Sequence, residues 1–94
     1  MTHATTRGTT HDGRPWAITL HSDKTASAIM VTDTGLHSIG SMSHDAARYL
    51  ISELPNLDTR EDDIHWECSR AKRMHPLPVT IADARTWAGL RRAL

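Results

Sequence analysis

Residues 16–40 read WAITLHSDKTASAIMVTDTGLHSIG, and the fold depends on how this stretch alternates. Successive side chains of a strand point to opposite sides, so Trp16, Ile18 and Leu20 fall on one face and Ala17, Thr19 and His21 on the other. Ser22–Thr25 reads as a turn. Ser27–Thr32 reads as a second strand, with Ile29 and Val31 inward and Met30 outward. Asp33-Thr34-Gly35 fits a three-residue hairpin loop with Gly35 in the left-handed position. That loop sets Ile29 opposite Ile39 and Val31 opposite His37, with His37 on the core side and Leu36 facing away. A two-residue loop gives the other register.

Upstream, Asp12-Gly13 is a hairpin turn signal. Residues 1–10 read either as a flexible tail or as a weak edge strand, in which Thr5–His11 pairs with the next strand. This Thr-rich stretch has no apolar alternation to fix its register. Downstream, Ser43 is suited to cap a helix, and Asp45 sits in the first turn, where the helix dipole favours an acid. Ala46, Ala47, Leu50, Ile51 and Leu54 form its apolar arc, and Pro55 ends it. Residues 55–63, PNLDTREDD, read as an acidic loop. Ile64, Trp66 and Cys68 alternate with His65, Glu67 and Ser69, which predicts another strand. Met74–Val79 carries Pro76 and Pro78 and reads as an extended edge segment. Thr80 caps a final helix whose arc is Ile81, Ala84, Trp87, Ala88, Leu90 and Leu94, with Arg91 inside it.

This order predicts an α+β fold, a small antiparallel sheet of three to five strands with two helices on one face. The 94 residues make one domain. Phe is absent, and the three tryptophans are expected to meet in one core. No apolar run approaches the ~18 residues of a membrane span, and residues 1–11 have no apolar stretch of a secretory leader. Cys68 is the only cysteine, so no intrachain disulfide forms. These features predict a cytoplasmic protein. The Ala, Arg, Thr, Asp and His bias is that of GC-rich genomes and fits a short accessory or inhibitor protein of a phage or mobile element.

The formal net charge is zero, but residues 53–67 hold six acids and one base, and residues 69–94 hold six bases and one acid. Such a split points to electrostatic recognition of a partner or of another copy of the chain. The acidic patch is Asp58, Glu61, Asp62 and Asp63. The candidate binding residues are Arg70, Lys72, Arg73, Arg85, Arg91 and Arg92. The leading expectation is a small non-enzymatic module that docks on a protein partner or on itself. A nucleic-acid-binding regulator using the same bases is the alternative, with phosphate contacts that make binding salt-sensitive. No helix-turn-helix pattern supports it.

Seven histidines raise metal binding. His65, Cys68 and His75, with His37 or His44 as a fourth ligand, have the donor types of a zinc site. Read as a strand, however, residues 65 and 68 point to opposite faces and cannot share an ion. No metal and no cofactor is therefore expected, and a zinc-stabilised domain is the third reading. No nucleophile elbow, glycine-rich phosphate loop or calcium loop is present, and an enzyme is the weakest class.

Overall fold

The structure, a computed structural model, describes residues 4–77. Four strands, β1 (Ala4–Thr9), β2 (Pro15–Leu20), β3 (Thr25–Thr32) and β4 (Gly35–Ser43), are followed by α1 (His44–Glu53), a 3-10 turn (Leu54–Asn56) and α2 (Glu61–Met74). The strands form one antiparallel meander in the order β1-β2-β3-β4. The fold is the α+β class that the sequence predicts, and β1 is a true edge strand, paired with β2 from Ala4 to Thr9. The final helix, with Arg85, Trp87, Arg91 and Arg92, lies outside the described residues.

The inward faces of β2 and β3 correct the expected parity. Trp16 pairs with Met30, Ile18 with Ala28 and Leu20 with Ala26, and residues opposite one another share a face. Once Trp16 and Ile18 point inward, Met30, Ala28 and Ala26 must do so too. All five are buried, whereas Ile29 is 51% exposed. The β-branched Ile29 and Val31 suit a strand on either face, so their apolarity did not mark the core. Ala26, Ala28, Ala46 and Ala47 are all fully buried. The sheet and α1 therefore approach through small side chains.

The β3–β4 loop is two residues, Asp33-Thr34, with Thr32 opposite Gly35 and Gly35 at φ +126°. The register is accordingly Ile29 to Ser38, Met30 to His37 and Val31 to Leu36. This corrects the three-residue loop, yet His37 still lies on the core side and Leu36 still faces away, 71% exposed. Further along, Gly40 and Ser41 stand against the single residue Ser27. This bulge, with Ser41 at φ +58°, resets the alternation so that Ile39 and Met42 both join the core.

α1 forms as expected. The Ser43 hydroxyl accepts the Ala46 N–H at 3.0 Å and donates to the His75 carbonyl at 2.6 Å. One side chain thus caps the start of α1 and ties it to the end of α2.

The largest correction is α2. Residues 61–74 are one helix, not an acidic loop and a strand. Its buried residues are Ile64, Glu67, Cys68 and Ala71, spaced at three and four as a helix requires. Trp66 points away from them and is 55% exposed, so it is no part of the core. The alternation of Ile64, Trp66 and Cys68 was coincidental. Pro76 follows the helix end at His75, as proline commonly does.

Residues 57–60 are strapped across the tips of both hairpins, and this places the start of α2. The His11 N–H donates to the Leu57 carbonyl at 2.9 Å and the Asp33 N–H to the Thr59 carbonyl at 2.8 Å. The Asp12 carboxylate accepts from the Thr59 N–H at 3.1 Å and its hydroxyl at 2.6 Å, and from the Thr10 hydroxyl at 2.5 Å. Hydrogen bonds from Thr10 and then Thr59 hold the Asp12 carboxyl well below the usual carboxylate range. A depressed folded-state pKa contributes stability that is present above about pH 4 and is lost as the pH falls toward the folded value. Thermal melts from pH 6 down to pH 2 should therefore fall less steeply for Asp12→Asn than for the native chain. The variant should also be less stable than the native chain at pH 6.

Candidate functional site

Helix α2 carries its charges in two blocks. Glu61 to Glu67 contains four acids and no arginine or lysine; Cys68 to Met74 contains three bases and no acid. Acids in the first turn and bases in the last turn both oppose the helix macrodipole favourably. Part of the charge split in the sequence is therefore the signature of one helix. The spacing of Ile64, Cys68 and Ala71 together with this polarity is the signal that identifies it.

The outer face of α2 is exposed along its length. Asp62, Asp63, Trp66, Arg70 and Arg73 all lie on the solvent side. The Arg70 guanidinium stacks over the Trp66 ring at 5.3 Å, a cation–π contact that holds the indole against the helix surface. Among the described residues no arginine or lysine pairs with Asp58, Glu61, Asp62 or Asp63. Two of them stand beside histidines: Asp58 meets His11 at 3.1 Å, and Glu61 meets His37 and His65. Arg70, Lys72 and Arg73, expected between a strand and an extended segment, are instead grouped in the C-terminal half of α2. Arg85, Arg91 and Arg92 are not among the described residues.

Toward the core, α2 is anchored to α1. The Tyr49 hydroxyl donates to the Glu67 carboxylate at 3.2 Å. Burial, and then the adjacent Glu67 charge, push the Tyr49 hydroxyl up from its ordinary value, so it stays a donor at neutral pH. Burial also pushes the Cys68 thiol up to about 11. A thiol held protonated is a poor nucleophile and a poor metal ligand.

The alternative zinc set of His65, Cys68 and His75 is not brought together among the described residues. Cys68 is buried, and His75 sits at the far end of α2 against Tyr49, ten residues and about 15 Å of helix rise from His65. His44 bonds the carbonyls of His21 and Thr25 instead. A different group is brought together. His37 from β4, Glu61 from the first turn of α2 and His65 one turn later place their donor atoms within 4.8 Å of one another. Glu61 Oε1 lies 3.8 Å from His37 Nε2 and 3.5 Å from His65 Nε2. The two imidazoles meet edge to face with centroids 5.8 Å apart. Reading residues 55–63 as a loop and 64–68 as a strand hid this trio, because a helix is what brings residues four apart side by side.

The uncovered sheet face is a further exposed surface. It carries Ile29 and Leu36, with Ile29 in the place expected for Met30. Thr5 and Thr19 share a hydroxyl hydrogen bond of 3.0 Å on it. No helix of the described residues is long and apolar enough to cross a membrane.

Comparison of the chain with protein families, curated proteins and solved structures finds no match.

Proposed function

We propose that the protein is a small non-enzymatic docking module that binds through the outer face of α2, and that its partner is a second copy of the chain. The observation that carries this reading is the order acid, tryptophan, base along one exposed helix face. Two such faces packed antiparallel are self-complementary. A twofold axis near the helix centre sets Asp62 of one copy against Arg73 of the other, and each Trp66 against the region of Ser69 and Arg70. A closed twofold contact of this kind uses the same patch on both copies. The indoles supply the apolar area, and the charges fix the orientation and speed the encounter. Such a module suits an accessory or inhibitor protein that acts by occupying a surface.

One helix face is a small interface, below about 1,200 Å², so the dimer is weak and transient. Its charges are solvent-exposed and hence screened by salt. Sedimentation equilibrium of the full chain at high micromolar concentration should report dimers at low ionic strength. They should dissociate as the salt approaches about 1 M, where the screening length is about 3 Å. A monomer at every salt concentration contradicts the proposal. The grouping of Arg70, Lys72 and Arg73 at one helix end favours the second reading, nucleic-acid binding. A monomer that shifts nucleic acid in a gel at low salt and releases it as salt rises supports that reading instead.

A further inference from the structure

We infer that His37, Glu61 and His65 form a binding site for one divalent transition-metal ion of the zinc class. The inference is independent of self-association through α2.

Two imidazoles and one carboxylate are a donor set that zinc and its neighbours favour. Calcium and magnesium prefer all-oxygen ligands. Bonds of about 2.0–2.1 Å around a tetrahedral ion put its donor atoms ~3.3 Å apart. The separations of 3.5 and 3.8 Å about Glu61 need only small side-chain shifts to meet that value. The three residues come from two elements whose relation is fixed. His37 occupies a core-side position of β4, opposite Met30. The Asp33 carboxylate accepts the Glu61 N–H at 2.9 Å, which anchors the first turn of α2 to the β3–β4 hairpin. Thr32, Ile39 and Ile64 line the same hollow and give it an apolar wall.

The electrostatics are mixed and acceptable for a cation. The positive end of the α2 dipole faces the ion unfavourably. Glu61 itself, with Asp62, Asp63 and Asp33 beside it, supplies the offsetting negative charge. The Thr34 hydroxyl lies 3.0 Å from His37 Nε2 and must release that nitrogen when the ion enters. Three protein ligands leave at least one coordination position for water or for a donor from another molecule, since His65 and Glu61 are partly open to solvent.

The test is titration of the tag-free full chain with Zn²⁺ alone, followed by competition with a chromophoric chelator, and a parallel titration with Co²⁺. One equivalent should bind. His37→Gln, His65→Gln and Glu61→Gln should each weaken binding by more than about 10-fold, the lower range for loss of even an outer-shell partner. His75→Gln and His11→Gln should leave it unchanged. The Co²⁺ complex should show visible ligand-field bands without a thiolate charge-transfer band, because Cys68 is not a ligand. The His65 side chain is 64% exposed, so His65→Gln folds even if a change at His37 disturbs the sheet; circular dichroism verifies this. Failure to bind one equivalent, or binding that survives both His37→Gln and His65→Gln, overturns the inference. A thiolate band, or loss of binding in His75→Gln, overturns it in favour of the Cys68 set.

Discussion

Trp16→Ala is expected to reduce the unfolding free energy by about 3–5 kcal/mol, read from urea denaturation of the full chain. Trp16 is only 5% exposed and belongs to the helix-side core layer with Ile18, Ala28 and Met30. Much of that layer is alanine, so little besides Met30 can relax into the space the indole leaves. The cross-strand neighbour on β1 is Gly8. A Cβ at position 8 would lie 2.5 Å from Cζ2 of the indole, so the ring rests directly on the glycine backbone. Two further results follow from this geometry. Trp16→Phe should keep most of the stability, because the buried indole Nε1 has no hydrogen-bond partner among the described residues and its loss breaks no bond there. Gly8→Ala should destabilise the native chain and cost less in the Trp16→Phe background, since the two positions share one contact and are not additive.

Met30→Ala is expected to cost about 2–5 kcal/mol, whereas Ile29→Ala should stay within about 0.5 kcal/mol. Met30 is 1% exposed and Ile29 51%. The pair measures the parity of β3 directly, because adjacent residues of a strand face opposite sides. Equal losses, or a larger loss at Ile29, would mean that β3 is one residue out of register with β2. Every inward residue of β3 would then change face, and His37, which shares the face of Met30, would turn away from Glu61 and His65 with it.

The sheet was legible from turn signals and alternation on β2. Trp16, Ile18 and Leu20 were enough to place one face. The parity of β3 was not, because its inward residues are Ala26, Ala28 and Met30, and its outward Ile29 and Val31 look more like core residues than they do. What decides between them is the close approach of α1, a tertiary requirement that one strand does not record. The α1 start was legible because Ser43 and Asp45 act locally. α2 was misread for a different reason. Ile64, Trp66 and Cys68 satisfy a period of two, while Ile64, Cys68 and Ala71 satisfy a helix, and a short window holds both patterns. The charges break the tie: acids at 61–63 and bases at 70–73 mark the two ends of a helix.

The candidate sites inherit these outcomes. The bases Arg70, Lys72 and Arg73 and the acids Glu61, Asp62 and Asp63 were found as charge blocks. That Asp62 and Asp63 stand at one end, and Arg70 and Arg73 at the other, of one exposed face could be seen only once α2 was a helix. Among the proposed metal ligands His65 was picked out, and His37 was named as a supplementary ligand. Glu61 was read only as part of an acidic loop. A strand at 64–68 makes Cys68 and His65 face apart, and no local pattern links either to residue 37 on β4.

The central claim is that the polarity of α2 is a self-recognition surface, and complementary charge reversal tests it most directly. One variant carries Asp62→Lys and Asp63→Lys, and the other Arg70→Glu and Arg73→Glu. An antiparallel pair of identical helices then places like charge against like charge in each variant alone, and opposite charges in the mixture. Analytical ultracentrifugation at low salt should find each variant monomeric and an equimolar mixture dimeric. Variants that dimerise alone as the native chain does, or a mixture that stays monomeric beside a native dimer, would contradict the account.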